Sequence, residues 1–407
     1  MRNIGPGASL WRQAAFTAAL LLSTGNVFAR TTVDTLPAAS AIDARVKQMM
    51  GRTRANGLAI ALIDHGSVGY VQAYGIRNAK REPLTADTVM YGASLTKMVF
   101  AYHVMLLVDQ GKIKLDTPIR DDLEKPLVDY GPHTDEAFLG KYGPYRDLAG
   151  DPRWQAITPR MSLTHSTGFA NFWFIEPDQK LRIHFDPGTR FSYSGEGFSL
   201  LQFAIEHGRT SQGLGVDVDA LTTSTFTRLG MTRTRLMWRA DFATNLADGW
   251  NDQGKPQEHD SRSKVRVAGS MDTTISDIAK FVAALVRGDG LSAASRTKMT
   301  RPLLKITTAH QFPNFAPSLP VNEQRKDLYA GLGVIVFDGA QGHGFFKGGH
   351  DEQTANTVVC VEKTRRCVVI LSNDVRAEAG FPDLVKFILG DTGVPYDWEY
   401  GDHAGKS

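Results

Sequence analysis

Ser94 and Lys97, a serine and a lysine three residues apart, are the pair in this chain best placed to make a nucleophile. On a helix that spacing puts hydroxyl and amine on one face, one turn apart. Burying that turn makes an ammonium costly, so the lysine's pKa falls and its neutral amine can take the serine's proton. Such a serine needs no histidine. The same spacing recurs at Ser261–Lys264 and at Ser295–Lys298. Those copies sit among charged and polar residues, where a lysine stays solvated and protonated. Only Ser94 leads into an apolar run (Met98, Val99, Phe100, Val104, Met105, Leu106, Leu107, Val108) able to take the site out of water.

The elements that must hold this pair are set by local pattern. Leu58–Ile63 and Val68–Tyr74 are apolar strands joined by Asp64-His65-Gly66, a hairpin. Helical spacing marks Ala38–Met50, a helix from Ser94 to about Gln110 with Gly111 as its stop, Gly197–Glu206, Ser276–Val286 with Asp277 near its start, and about Pro382–Leu389. Strands return at Leu332–Phe337, Ala355–Val361 and Cys367–Ser372. Residues 117–160, rich in Pro, Gly and charge, read as a surface excursion with little core of its own. Strands at both ends and helices between them imply one sheet built from distant segments. The expected fold class is α/β in the α+β sense: an antiparallel sheet flanked by helices, with an all-helical subdomain (roughly 95–265) inserted.

Hydrophobic residues make up 42% of the 407, enough for a large core. Residues 1–29 read as a secretory signal peptide. Arg2 and Arg12 form its positive end, Ala14–Leu22 its short apolar segment, and Val27-Phe28-Ala29 its cleavage site. That apolar segment is too short to span a bilayer, which takes about 20 residues, and no cysteine near the cut offers a lipid attachment point. An exported protein, periplasmic or secreted and with no stable membrane anchor, is expected. Removing the segment takes two arginines and no acid, so the formal charge of +3 becomes +1. No basic stripe for nucleic acid and no polybasic patch for lipid remain. Cys360 and Cys367 lie on two strands joined by a polar turn, which would set them opposite each other; export makes a disulfide between them the expectation.

Asp87-Thr-Val-Met-Tyr-Gly-Ala-Ser94-Leu-Thr-Lys97 resembles the active-site block of the serine β-lactamase and penicillin-binding superfamily. It is most similar to the branch of class C β-lactamases, DD-peptidases and related esterases. Leu163–Gly168, Ala268–Asp277 and Gly331-Leu-Gly333 extend the resemblance in order along the chain, from about residue 55 to 390. It implies a β-lactamase/transpeptidase-like hydrolase domain over residues 30–400, with its site between the α/β part and the helical lobe. It also implies a tyrosine two residues before an asparagine, matched here by Tyr193-Ser194-Gly195, and a lysine two before a glycine, matched by Lys347-Gly348-Gly349. Tyr193 would pass the serine's proton to the leaving group, and Lys347 would supply a positive charge for a substrate carboxylate. The backbone N–H groups of Ser94 and His350 would hold the oxyanion. Tyr329-Ala330-Gly331 and Lys141-Tyr142-Gly143 fit the same relaxed patterns but lie in the approach to a strand and in the loop-rich excursion.

Gly195 departs from the family pattern, since the family's asparagine there would contact the substrate's acyl group. Lys347 points to a carboxylate-bearing amide, such as a D-alanyl peptide or a β-lactam. Gly195 points to an ester, whose cleavage would depend little on Lys347. A third reading is a binding protein on this fold without turnover. His165 reads as a structural hydrogen-bonding residue, and Phe172-Trp173-Phe174 as ordinary packing. His343, His350, Asp351 and Glu352 crowd one segment without the spacing of a helix-borne zinc motif, so neither metal nor cofactor is expected. No Gly-x-Ser-x-Gly elbow, phosphate loop or dinucleotide fingerprint occurs. The expected partner is a small-molecule or peptide substrate, and nothing in the sequence marks an oligomeric state.

Overall fold

A computed structural model describes residues 35–131, 134–208 and 215–401; the expected secretory segment, 1–29, lies outside the described residues. Eight strands form one antiparallel sheet: β1 (Gly57–Asp64), β2 (Ser67–Gly75), β3 (Leu304–Lys305), β4 (Leu328–Ala330), β5 (Ile335–Gly339), β6 (Gly342–His350), β7 (Ala355–Val361) and β8 (Arg366–Ser372). Their order across the sheet is β2-β1-β8-β7-β6-β5-β4-β3. The chain's first hairpin therefore docks on its last strand, with Leu58 opposite Ser372 and Ile63 opposite Cys367. The β1–β2 turn uses the left-handed conformation at His65 (φ 49°) and Gly66 (φ 80°), as a two-residue hairpin with the sheet's own twist requires.

Both faces of the sheet are covered, which is why β1, β7 and β8 are continuous apolar runs rather than alternating ones. Leu58, Ile60 and Leu62 face one core together with Ile42, Val46 and Met49 of α1 (Ala39–Thr53). Ala59, Ala61 and Ile63 face the other, against α2 (Leu95–Asp109) and α4 (Ile275–Arg287). The small alanines on that side let helices approach the sheet closely. α3 (Gly195–His207) and α5 (Ala293–Thr300) pack around α2, while α6 (Phe381–Leu389) and α7 (Tyr396–Tyr400) close the α1 face. No helix among the described residues is long and apolar enough to cross a membrane.

α2 is apolar all round and buried on nearly every side, as its composition demands. His103 at its centre donates to the Val99 carbonyl at 2.7 Å. Burial lowers its pKa to about 4, so it is neutral. Cys360 and Cys367 are directly opposed in the β7–β8 register and joined by a disulfide.

Two local readings are corrected. Residues 117–160 are not a thinly anchored excursion: Tyr142, Tyr145, Leu148 and Trp154 are buried. The rings of Tyr130, Phe138, Tyr142 and Tyr145 surround Phe203 of α3 at centroid distances of 4.9 to 5.8 Å. Short 3-10 turns beginning after Pro118, Pro126 and Pro144 turn single side chains inward, a pattern with neither the helical nor the strand period. Of the strand expected at Leu332–Phe337 only Ile335–Phe337 is strand, the start of β5; the residues before it form the tight turn from β4, in which the Gly331 N–H donates to the Val334 carbonyl. Ser295–Lys298, read as a copy without the Ser94 context, lies on α5, where the Ser295 hydroxyl donates to Asp109 at 2.6 Å rather than meeting Lys298.

Candidate active site

Ser94 is the N-cap of α2, preceded by Ala93 at φ 44°. A non-glycine residue in the left-handed region is held there by its surroundings: the Gly92 N–H bonds to the Met271 carbonyl and the Leu95 N–H to the Gly92 carbonyl. The bend puts Ser94 ahead of the first intrahelical hydrogen bond, where backbone N–H groups lack helical partners. β6 crosses this helix end at very short range. A Cβ on Gly349 would stand 2.8 Å from the Leu95 nitrogen and 3.1 Å from that of Ser94. Only a glycine lets the strand lie there.

Lys97 is fully buried. Its Nζ donates to Ser94 Oγ at 3.2 Å and to the Ala268 carbonyl at 2.5 Å, and it lies 4.9 Å from the centre of the Tyr193 ring. Burial drives its pKa down to about 8; the Tyr193 charge pulls it up and Lys347 pushes it further down. Tyr193, just before α3, is 4% exposed. Burial alone would raise its phenol, but Lys347 and Lys97, with the Ser94 hydroxyl, outweigh that and bring it to about 7. Lys347 on β6 donates to Tyr193 Oη at 3.1 Å and to its neighbour's carbonyl, that of Gly348, at 2.6 Å. Serine, two amines and a phenol thus lie in one connected cluster.

The Tyr193 backbone is fixed from behind. His165 stacks on its ring at 4.3 Å, and its Nδ1 accepts from the Ser194 N–H at 3.0 Å. Burial first, then Lys97 and Lys347, hold His165 well below the usual histidine range, so it is a neutral structural residue. Asn314 Nδ2 donates to the Tyr193 carbonyl at 2.7 Å.

Ser94, Tyr193, Lys347, Gly349 and His350 all line one cleft of about 320 Å³. The rival copies do not. Lys141 pairs with Glu206 at 2.8 Å, Tyr329 Oη donates to the Lys326 carbonyl, and Lys264 donates to the Glu136 carbonyl at 3.2 Å. His343 and His350 diverge. His343 turns to Asp338 and the Thr300 carbonyl, whereas His350 pairs with Glu378 at 3.3 Å. That pairing with Glu378 offsets burial and raises His350 to about 9.

Two lining residues were not legible in the sequence. Asn171 fills the space that a side chain at Gly195 would need: a Cβ there would lie 3.1 Å from Asn171 Oδ1 and 2.7 Å from its carbonyl oxygen. Its Oδ1 accepts from the Gly195 N–H at 3.0 Å, which leaves the Nδ2 donors for the cleft. A side-chain amide is thus present beside Gly195 at the cleft wall, supplied by the segment after Gly168. Asking what fills the space beside Gly195 would have pointed to it. Glu399, from α7, also borders the cleft. A larger cleft of about 1130 Å³ lies alongside, lined by Phe172, Lys264, Arg266 and Asp351 among others.

Residues 42–389 match the family described as Beta-lactamase. Among curated relatives, the fimbrial assembly protein FimD, serogroup D, of Dichelobacter nodosus is 30% identical over 161 residues, covering 35% of each chain. Esterase EstB of Burkholderia gladioli is 26% identical over 218 residues, covering 46% of this chain and 50% of its own. The chain spans about a third to just over half the length of curated relatives it matches. The D-alanine carboxypeptidase AmpC of Burkholderia cenocepacia shares the fold, with a TM-score of 0.63 at 18% identity over 87% of this chain and 99% of that one.

Proposed function

The chain belongs to the beta-lactamase family of hydrolases, and we propose that it is a serine hydrolase that works through an acyl-enzyme on Ser94. The observation that carries this is the buried Lys97 amine, 3.2 Å from Ser94 Oγ and facing a phenol that Lys347 also contacts. Neutral Lys97 takes the serine proton as Oγ attacks an acyl carbonyl. The N–H groups of Ser94 and His350 bind the oxyanion, each worth about 2.7–4 kcal/mol in comparable sites. Lys97 passes the serine proton to the Tyr193 phenolate, which hands it to the departing group, and the acyl bond to Ser94 forms as the bond to that group breaks. Water then attacks the acyl-enzyme, giving its proton to the same chain of groups, and Ser94 is released with its hydroxyl restored.

The substrates we propose are carboxylic esters with no charge beside the scissile bond at neutral pH. Two of the three Lys347 donors are engaged, and the residue is 4% exposed, so it acts on Tyr193 before it can act on a substrate carboxylate. A carboxylate-bearing amide, a D-alanyl peptide or β-lactam, is the second reading, supported by the Asn171 amide that stands beside Gly195 at the cleft wall. Export to the periplasm or medium is part of the proposal, supported by the signal-like first 29 residues and by the Cys360–Cys367 bridge.

The test is a time course of intact mass after mixing the protein with a 4-nitrophenyl ester or with a simple penicillin. An acyl adduct from the ester that is absent in Ser94→Ala is the expected result. A penicillin-sized adduct that outlasts the ester's would move the assignment to the second reading. Undiminished turnover by Ser94→Ala would overturn both.

A further inference from the structure

Glu399 occupies a place that no step above uses. It belongs to α7, near the end of the described chain, yet it borders the same cleft as Ser94, Tyr193 and Lys347. α7 is pinned in place: Trp398 is fully buried, its ring donates to Thr308 Oγ1 at 3.3 Å, and its carbonyl accepts from the Gln311 N–H at 2.8 Å. The Glu399 carboxyl takes the space over Gly348, where any Cβ would lie 1.7 Å from Oε1. Glycine at 348 therefore exists to admit this acid. The side chain is 6% exposed, and its Oε2 is buried with no hydrogen-bond partner. A buried carboxyl is costly to desolvate, and this one stands at the wall of the reaction cleft, beside Lys347 and His350.

We propose that Glu399 determines specificity on the Tyr193–Lys347 side of the cleft: its charge decides whether a substrate bearing a carboxylate on its leaving group is accepted. This rests on the acyl-enzyme reading. The charged and titratable groups that face Glu399 are Lys347 and His350 from β6, Glu378 from the turn after β8, and Tyr396 and Tyr400 of α7 itself. Lys347 and His350 face Glu378, an ionised Glu399 and the Tyr193 phenol that Lys347 contacts, which leaves no net positive charge for a second carboxylate. With Glu399 protonated, one of those negative charges is gone, and the acid's O–H can donate to the incoming carboxylate. Burial raises Glu399 to about 7, against the pull of Lys347 and His350. Both states are thus reached on either side of neutrality, while His350 stays charged below about 9.

The experiment compares two aryl esters with the same acyl group, one with a meta-carboxylate on its leaving group and one with a meta-carboxamide. The ratio of their kcat/KM values cancels the proton transfers of Lys97 and Tyr193, which both substrates share, and comparison with Glu399→Gln separates the Glu399 charge from that of Tyr193. In the wild type the carboxylate-to-carboxamide ratio falls about tenfold per pH unit above about 7, and in Glu399→Gln the fall is shallower, leaving only the part owed to the Tyr193 charge. A flat wild-type ratio, or an equal fall in Glu399→Gln, overturns the proposal while Ser94-dependent turnover of the carboxamide ester leaves the acyl-enzyme reading intact. Loss of Ser94 dependence overturns both. If Glu399→Gln does not fold, Glu399→Asp serves. It keeps an ionisable group at the position, and its pH midpoint must move from the wild-type value if this carboxyl is the one being titrated.

Discussion

Replacing Lys347 with methionine keeps the side chain's length and removes its charge, and the size of the loss can be worked from the geometry. The ammonium lies 3.1 Å from Tyr193 Oη in a site closed to solvent. At an effective dielectric of about 20, two unit charges at that distance attract by about 5 kcal/mol, a ceiling because the Gly348 carbonyl shares the ammonium. Allowing half of that, the Tyr193 phenol rises by about two pH units, from about 7 to near 9. Lys97 moves the same way, because Lys347 is one of the charges that lower it. The active form is the one with the proton already gone, so activity appears as pH rises through these values and is lost below them. At pH 7 the competent fraction then drops about 50-fold. The assay is the pH profile of kcat/KM with a neutral ester in both proteins. The variant should be about 50-fold slower at pH 7, with its apparent pKa near 9, and should recover most of the loss by pH 9.5. An equal loss at every pH, with the midpoint unmoved, would refute the electrostatic argument and return Lys347 to a purely substrate-binding role. The contact with Tyr193 sets this prediction against the expectation that an esterase would depend little on this lysine, and the assay decides between them.

Phe203→Ala, at the centre of the aromatic cluster formed with residues 130–145, should cost about 3–5 kcal/mol in urea unfolding, and a cost under about 1 would show that this segment adds no core. The double change Cys360→Ala, Cys367→Ala opens a short loop, for which chain entropy gives about 2 kcal/mol. It should lower the unfolding free energy by about that amount with activity within about twofold, and a much larger loss would mean the bridge holds more than one hairpin.

What could be read in advance, and what could not, divides along a physical line. Ser94 and Lys97 were legible because one helical turn fixes their relation and the residues after them announce burial. The β1–β2 hairpin, α4 and β7–β8 were legible because their hydrophobic periods are strong. Tyr193 and Lys347 required the family resemblance, since Tyr329 and Lys141 carry the same short patterns and only tertiary placement separates them. β6, with glycines at 342, 344, 348 and 349, lacks a strand-like sequence. Those at 348 and 349 answer to a carboxyl and to a helix end brought in from elsewhere. Asn171 and Glu399 carry no local signal at all. One arrives after a loop and the other on a five-residue helix, and both matter only through what they meet. Residues 117–160 hide their core for a related reason: inward aromatics on 3-10 turns have no repeating interval.

The sheet order also sets a schedule for synthesis. β1 and β2 leave the ribosome early, but the inner edge of β1 has no neighbour until β8 is made, and the Ser372 hydroxyl reaches the Gly57 carbonyl across a sequence separation of 315. Until then a fully apolar strand carries an unpaired edge, a template for pairing with other chains. Contacts of such separation form slowly, because a long loop must close before any of them is gained. The nascent chain therefore cannot complete this sheet while it is being elongated. Ser94, made in the first quarter of the chain, does not meet Lys347 and the far wall of the cleft until β6 arrives. On the proposed mechanism the chain is inert for most of its own translation, and one cut short before residue 347 stays so.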